Sequence, residues 1–155
     1  MYYLIDKEAL FKLVEEEVSK AADEAYADSG VSLYDAVVLT DKDNDMVDRF
    51  IDDAVNLAVR RAYDICKFSP ETEEVDGEIQ PTGRMRLYFY VPDFDDTMED
   101  AVKRELDRYV AMYVSGNIFQ QRRAALVPEY TTRTQAALDN AVTMLKSRKY
   151  PSVLW

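Results

Sequence analysis

The fold of this chain is decided by residues 40–66, which read TDKDNDMVDRFIDDAVNLAVRRAYDIC. Apolar side chains recur there every three or four residues, which is the period of one face of an α-helix. Thr40 is a good N-cap residue, and Asp43 stands at the third helical position, as in a capping box. The stretch therefore predicts a long, buried helix from Thr40 to about Cys66. Its buried face is formed by Val47, Phe50, Ile51, Ala54, Val55, Ala58, Ala62 and Ile65.

Comparable patterns predict helices on both sides of this one. Before it, Asp6 is a good N-cap and Gly30 a natural C-terminal residue, so residues 1–30 contain an N-terminal helix. After it, Asp96 and Glu99 form an acidic cap that opens a third helix. The small residues at 115–117 predict a break or an end of that helix.

A fourth helix is predicted over residues 134–148, and Pro128 marks a candidate earlier start. It is followed by residues 150–155, which end in Val-Leu-Trp. An exposed apolar segment is unusual in water, so these residues are expected to dock either on a partner or on the chain's own surface. The sequence leaves both alternatives open.

A β-hairpin is predicted between the second and third helices. Residues 69–83 are polar and rich in turn-forming residues, with a weak strand at residues 73–80. Residues 84–91 then alternate with period two, so that Arg84, Arg86, Tyr88 and Tyr90 share one face. An isolated two-stranded hairpin is only marginally stable in water. The hairpin is therefore expected to lie on the helices or to pair with strands of neighbouring copies.

These elements predict a mainly α fold, a four-helix-type bundle with one projecting β-hairpin. The length of 155 residues fits a single helical domain over residues 1–155. No apolar run approaches the roughly 20 residues that span a bilayer, so no membrane association is expected. The first six residues are too short and too quickly acidic for a signal peptide.

Charge is distributed unevenly along the chain. The net charge is −11. Residues 1–80 carry 21 acids and 8 bases, whereas residues 81–155 carry 9 acids and 11 bases. This asymmetry favours head-to-tail contact between copies or docking on an oppositely charged partner. The alternative is an acidic surface that only keeps the protein dispersed.

Residue types exclude most catalytic machinery. The chain has no histidine, which removes Ser-His and Cys-His nucleophile pairs and most zinc and haem sites. Cys66, the only cysteine, ends an apolar face and is expected to be a core residue. No glycine-rich phosphate loop is present. We therefore expect no catalytic residue, no metal and no cofactor.

Two acidic motifs imitate metal sites. Residues 41–45 resemble the start of an EF-hand loop, but the sixth and twelfth positions hold Met46 and Asp52 in place of Gly and Glu. Residues 88–97 resemble the first motif of haloacid-dehalogenase-like phosphatases, in which Asp93 and Asp95 would be nucleophile and acid/base with magnesium. The acidic residues that should follow to bind metal are missing. Acidic helix starts explain both motifs better.

The order of elements resembles that of the head–tail connector (adaptor) proteins of tailed bacteriophages. The resemblance covers about residues 33–150, which would form a connector-like core, with the hairpin in the middle. It implies a non-enzymatic virion protein that forms a neck ring by homo-oligomerisation, contacts portal and tail proteins and surrounds DNA without specific recognition. Such a protein is made in the bacterial host cytoplasm. The long N-terminal helix and the acidic first half depart from the pattern.

The expected contact residues lie on the hairpin, at two arginines after the third helix and in the apolar tail. An alternative function is a small acidic adaptor or inhibitor that binds a basic protein. A second alternative is a magnesium-dependent phosphatase-like hydrolase. The predicted interaction residues are Arg84, Arg86, Tyr88, Tyr90, Arg122, Arg123, Tyr150, Val153, Leu154 and Trp155.

Overall fold

The computed structural model describes residues 1–29 and 37–147, without the side chains of residues 25–29. The helices of this part are α1 (Lys7–Ser29), α2 (Asn44–Arg61), α3 (Glu99–Arg122) and α4 (Val127–Leu145). The strands are β1 (Tyr2–Leu4), β2 (Cys66–Val75) and β3 (Glu78–Phe89). A mainly α fold with a β-hairpin is therefore confirmed.

Helix α3 lies at the centre of the described helices and packs against α1, α2 and α4. The phenol of Tyr109 is buried and donates a hydrogen bond to the carbonyl of Ala54 at 2.8 Å, which joins α3 to α2. The rings of Phe119 and Tyr130 meet edge to face with centroids 4.9 Å apart, which joins α3 to α4. Side chains from the helices and the sheet form one buried hydrophobic cluster around α3.

The predicted break at residues 115–117 is wrong, because α3 continues through these residues to Arg122. Ser115 is fully buried, and a Cβ atom at Gly116 would lie 3.4 Å from the Cβ of Tyr130. The small residues therefore serve the close approach of α3 and α4. Asn117 donates its side-chain amide to the carbonyl of Tyr113 at 2.8 Å within the helix. Tertiary packing outweighs the weak helix propensity of this segment.

The three strands form one antiparallel sheet in the order β1-β3-β2. Strand β1 was not predicted from the sequence; it pairs Tyr2 with Tyr88 and Leu4 with Arg86. The hairpin is longer than predicted and turns at Asp76 and Gly77, both of which have positive φ. Because β2 begins at Cys66, helix α2 ends at Arg61, earlier than expected.

The predicted acidic helix starts are present, with small shifts in position. The Asp43 carboxylate accepts the Thr40 N–H at 2.8 Å, and a short 3₁₀ turn leads from there into α2. Before α3, the Asp95 carboxylate accepts the N–H of Thr97 at 3.1 Å, so a cap is found at Asp95 and not at the predicted Asp96. Helix α4 begins near Pro128, the earlier of its two candidate starts.

Arg122 and Arg123 are not the exposed residues that the sequence predicted. The Arg122 guanidinium donates to the Asp43 carboxylate at 2.7 Å and to the carbonyl of Val38 at 3.1 Å. Arg123 donates to the carbonyl of Ala21 at 2.9 Å. Both side chains are half-buried because they bind the chain's own backbone at the end of α3. Arg122 thereby fixes the start of α2 on the central helix.

Replacing Arg122 by glutamine should lower the free energy of unfolding by about 2–3 kcal/mol, because several hydrogen bonds to a charged group are lost together. Urea denaturation at pH 7 measures this loss. Arg108→Gln is the control, since Arg108 lies on the same helix, its own side chain is exposed, and its contact with Glu105 is long, at 4.0 Å. Its effect should stay within about 0.5 kcal/mol. Equal effects of the two substitutions would contradict the role of Arg122.

The ion pair also predicts how this difference depends on pH. The hydrogen bond from Arg122 lowers the pKa of Asp43 below its ordinary value. A carboxylate with a lowered pKa adds stability that is complete above its unfolded-state pKa, about 3.9, and is lost as the pH falls through its folded-state pKa. The stability gap between wild type and Arg122→Gln should therefore shrink between pH 6 and pH 3. A gap that is constant over this range would show that Asp43 is not the partner that matters.

Candidate interaction surface

The strands separate a buried face of the sheet from an outer face. Leu87 and Phe89 point into the core and are buried. The intervening residues point outward, since successive side chains of a strand alternate between faces. We call this the outer sheet face; it is formed by Tyr2, Lys67, Arg86 and Tyr88.

The outer sheet face is held together by stacked aromatic and cationic groups. The rings of Tyr2 and Tyr88 lie 4.9 Å apart between centroids. The guanidinium carbon of Arg86 stands 3.9 Å from the centre of the Tyr2 ring, and the Lys67 ammonium stands 5.6 Å from that of Tyr88. Each cation–π contact contributes about 0.5–1 kcal/mol at exposed sites. The face is therefore a rigid, basic and aromatic surface.

The base of the sheet is tied to the helical body through Tyr3. Its phenol donates a hydrogen bond to the Asp107 carboxylate of α3 at 2.7 Å. Burial raises the pKa of Tyr3 well above its ordinary value, and burial also raises the pKa of Asp107. The polar pair lies where strand β1 meets α3, so the base of the hairpin has a fixed position on the body.

The distal part of the hairpin is far more exposed than its base. No side chain from Glu71 to Met85 is buried, and β1 pairs with β3 only at residues 86–88. Several apolar side chains are nevertheless displayed there: Ile79 is 78% exposed and Val75 38%. Val75 pairs with Glu78 and Ile79 pairs with Glu74, so the two side chains lie on opposite faces of the ribbon. Their exposure makes the distal part of the hairpin a candidate contact surface.

The hairpin also contains a β-bulge, which separates the positively charged end near the body from an acidic tip. Pairing shifts between Pro70 and Thr72, and Gly83 has a φ of +82°. Across this bulge, Glu71 binds Arg84 at 2.8 Å and accepts the hydroxyl of Thr82 at 2.7 Å. The hydrogen bond from Thr82, with the charge of Arg84, lowers the pKa of Glu71. Beyond it, the tip adds four further acids, namely Glu73, Glu74, Asp76 and Glu78.

A groove lies where the hairpin meets the start of α1 and the middle of α2. Its volume is about 750 Å³. We call it the basal groove. Its apolar lining includes Ile5, Val55, Phe68 and Met85, and its polar rim includes Asp6, Lys7, Glu8, Asp52, Asn56 and Arg84.

The structure brings together some of the predicted interaction residues and separates others. Arg86 and Tyr88 lie on the outer sheet face, and Tyr90 follows them, 63% exposed. Arg84 lies instead at the bulge, where it lines the basal groove. The predicted contacts at Tyr150, Val153, Leu154 and Trp155 lie outside the described residues.

Two residues of the outer sheet face were missed in the sequence. Tyr2 belongs to a strand of three residues, too short for a periodic pattern to reveal. Lys67 lies between the predicted end of the second helix and the predicted turn-rich segment, and the structure places it in β2. The one available signal was the β-prone run Tyr2-Tyr3-Leu4-Ile5.

Among residues 1–29 and 37–147, no group of three or more acidic or cysteine side chains is arranged to hold a metal ion. No helix in that same part of the chain is long and apolar enough to cross a membrane. Cys66 is buried, and burial raises the pKa of its thiol to about 12. A neutral buried thiol is a poor nucleophile.

Comparison of the chain with protein-family models, with curated proteins and with solved structures gives no match. The surface features that bear on function are the outer sheet face, the distal hairpin and the basal groove.

Cys66 should resist thiol reagents in the folded protein. With a pKa of about 12, roughly one thiol in ten thousand is ionised at pH 8. Labelling with Ellman's reagent should therefore be slow in buffer and fast in concentrated urea, where an ordinary pKa returns. Rapid labelling of the native protein would show an accessible, activated cysteine and would reopen covalent chemistry at this position.

Proposed function

We propose that this chain is a structural, non-enzymatic protein that works by assembling with other protein chains, and that its setting is the head–tail connector ring of a tailed phage. The observation that carries the assembly role is the distal hairpin, with exposed Val75 and Ile79 and no buried side chain between Glu71 and Met85. A two-stranded ribbon is marginally stable by itself in water. Burial against a neighbour would supply the missing stabilisation.

The outer sheet face supports the same proposal. Tyrosine and arginine are the residue types most enriched at protein interfaces, and rigid side chains lose little entropy on binding. Tyr2, Arg86 and Tyr88 are already held in place by their mutual stacking. Among the residues that the structure describes, strand β2 is an edge of the sheet, with which a strand of another chain could pair.

A connector ring needs a head-to-tail contact, because two different surfaces must meet for the rotation to close. The charge distribution favours such a contact, with an acidic first half and a mildly basic second half. Neck proteins of this kind surround DNA, and an acidic lining would let DNA pass because like charges prevent phosphate binding. Host cytoplasm as the place of synthesis and the virion neck as the final location belong to this proposal, as do portal and tail proteins as neighbours.

A second candidate is an acidic module that binds one basic protein. It is favoured by the exposed carboxylates along α1, which include Glu8, Glu15, Glu16, Asp23 and Glu24. Such a module would form a complex of fixed stoichiometry with its partner and would not associate with itself.

The double substitution Val75→Ser and Ile79→Ser should weaken self-association by about tenfold or more, because burying one such side chain contributes about 1.5–3 kcal/mol. Thermal unfolding of the subunit should change little, since both residues are exposed. Sedimentation velocity over a concentration series measures the association, and circular dichroism measures the unfolding.

Tyr63→Ser is the matched control, because Tyr63 is 81% exposed and lies in the turn after α2, outside the hairpin. It should leave the association unchanged. If wild type and the double variant associate equally, the hairpin is not the contact. If wild type stays a monomer at every concentration yet binds a basic protein, the acidic module is the better description.

A further inference from the structure

We propose that the basal groove is the receptor for residues 148–155 of a second copy of this chain. The inference deepens the proposed function, since it rests on self-assembly and names the two surfaces that meet. Neither surface includes the distal hairpin residues Val75 and Ile79 or the outer sheet face, so it can fail while the hairpin contact stands.

The groove has the shape and lining of a site for apolar side chains. A volume of about 750 Å³ lies within the range of sites that enclose a bound ligand. Phe68 pairs with the buried Leu87 and Met85 pairs with Pro70, so Phe68 and Met85 are diagonal neighbours on the face of Leu87. They are nevertheless 41% and 40% exposed. Apolar side chains on a core-facing surface that stay this exposed are suited to contact with an apolar occupant.

The charge around the groove favours a basic occupant. Its two cations are already bound: Lys7 contacts Asp48 and Asp52 at 2.9 Å each, and Arg84 binds Glu71. Asp6 and Glu8 add further negative charge at the rim. With the ion-pair partners counted, the surroundings hold five carboxylates and three cations, which are Asp6, Glu8, Asp48, Asp52 and Glu71 against Lys7, Lys12 and Arg84.

Residues 148–155 have the complementary chemistry. They read RKYPSVLW, two bases followed by an aromatic and apolar run without any acid. Seated in the groove, Val153, Leu154 and Trp155 would cover Phe68 and Met85. Arg148 and Lys149 would stand at the acidic rim, where charge complementarity sets orientation.

The position of α4 favours a neighbouring copy as the source of this segment. Helix α4 meets α2 on the side of Leu57 and Arg61, where Arg61 donates to Gln135 at 2.9 Å. The groove lies on the side of Asp52 and Asn56. At about 100° per residue, these two sides of α2 are about 140° apart on average, with Asn56 and Leu57 the nearest pair at about 100°. The groove and α4 therefore lie on different sides of α2, which favours a neighbouring copy as the source of the segment.

This contact is heterologous, because the groove and the segment are different surfaces of one chain. Repetition of such a contact generates a ring if the rotation closes and a filament if it does not. It also joins the acidic first half of one copy to the basic end of another, as the charge distribution favours.

Trp155 allows a direct test, because it is the only tryptophan of the chain. Its fluorescence emission in the full-length protein should move to shorter wavelength as concentration rises, in step with association measured by light scattering. Phe68→Ser should abolish this shift and weaken association by about tenfold or more. Tyr63→Ser is the control, which should preserve the emission shift and the association. If Phe68→Ser lowers the melting temperature, Met85→Gln serves as a second groove variant.

Mixing variants identifies the geometry of the contact. Phe68→Ser keeps the segment but lacks the groove, and Trp155→Ala keeps the groove but lacks the anchor. Neither should associate strongly alone. An equimolar mixture should form a one-to-one complex with Trp155 emission shifted, because one intact contact can form.

The other outcomes overturn the inference in distinguishable ways. A shifted emission that is independent of concentration would place the segment on its own chain. The mixture of groove and segment variants could stay unassociated although wild type assembles and the double variant Val75→Ser, Ile79→Ser does not. That result would reject the groove and leave the hairpin contact standing. If the groove variants and the hairpin variant all assemble like wild type, both proposed contacts are rejected.

Discussion

Burial of helix α3 is the constraint on which the rest of this structure depends. The helix packs against the three other described helices. Its Tyr109 binds the backbone of α2, and its Asp107 binds Tyr3 of the sheet. At its end, Arg122 and Arg123 bind backbone carbonyls of neighbouring segments. Because one helix holds the other three and Tyr3 binds it, the base of the hairpin has a fixed position where it leaves the body.

This rigidity gives the proposed contact of the hairpin a fixed starting point. Its base is fixed by β1, by the Tyr3–Asp107 hydrogen bond and by the stacking of Arg86 on Tyr2. The distal part extends from this fixed base, so a partner that covered it would have to order only the distal residues. The bulge locked by Glu71 and Arg84 lies between the two parts and adds one side chain to the basal groove.

Much of the fold was predictable because helix signals are local. The apolar period over residues 47–65, the Thr40 and Asp43 pair and the cap at Asp6 lie within a few residues of what they control. The candidate surface was half predictable: alternation over residues 84–90 placed Arg86 and Tyr88 on one face. Tyr2 was not predictable, because its strand is three residues long and exists only through pairing with β3, more than eighty residues away.

The sequence by itself determined the helical class, the acidic helix starts, the charge asymmetry between the halves and the absence of histidine chemistry, since each depends on residue types and short spacings. Only the tertiary structure decided that residues 115–117 continue a helix, that Arg122 serves the fold and not the surface, and that a groove opens beside α2. The physical reason is that packing against distant segments, as Gly116 does against Tyr130, outweighs local propensities of less than about 1 kcal/mol per residue.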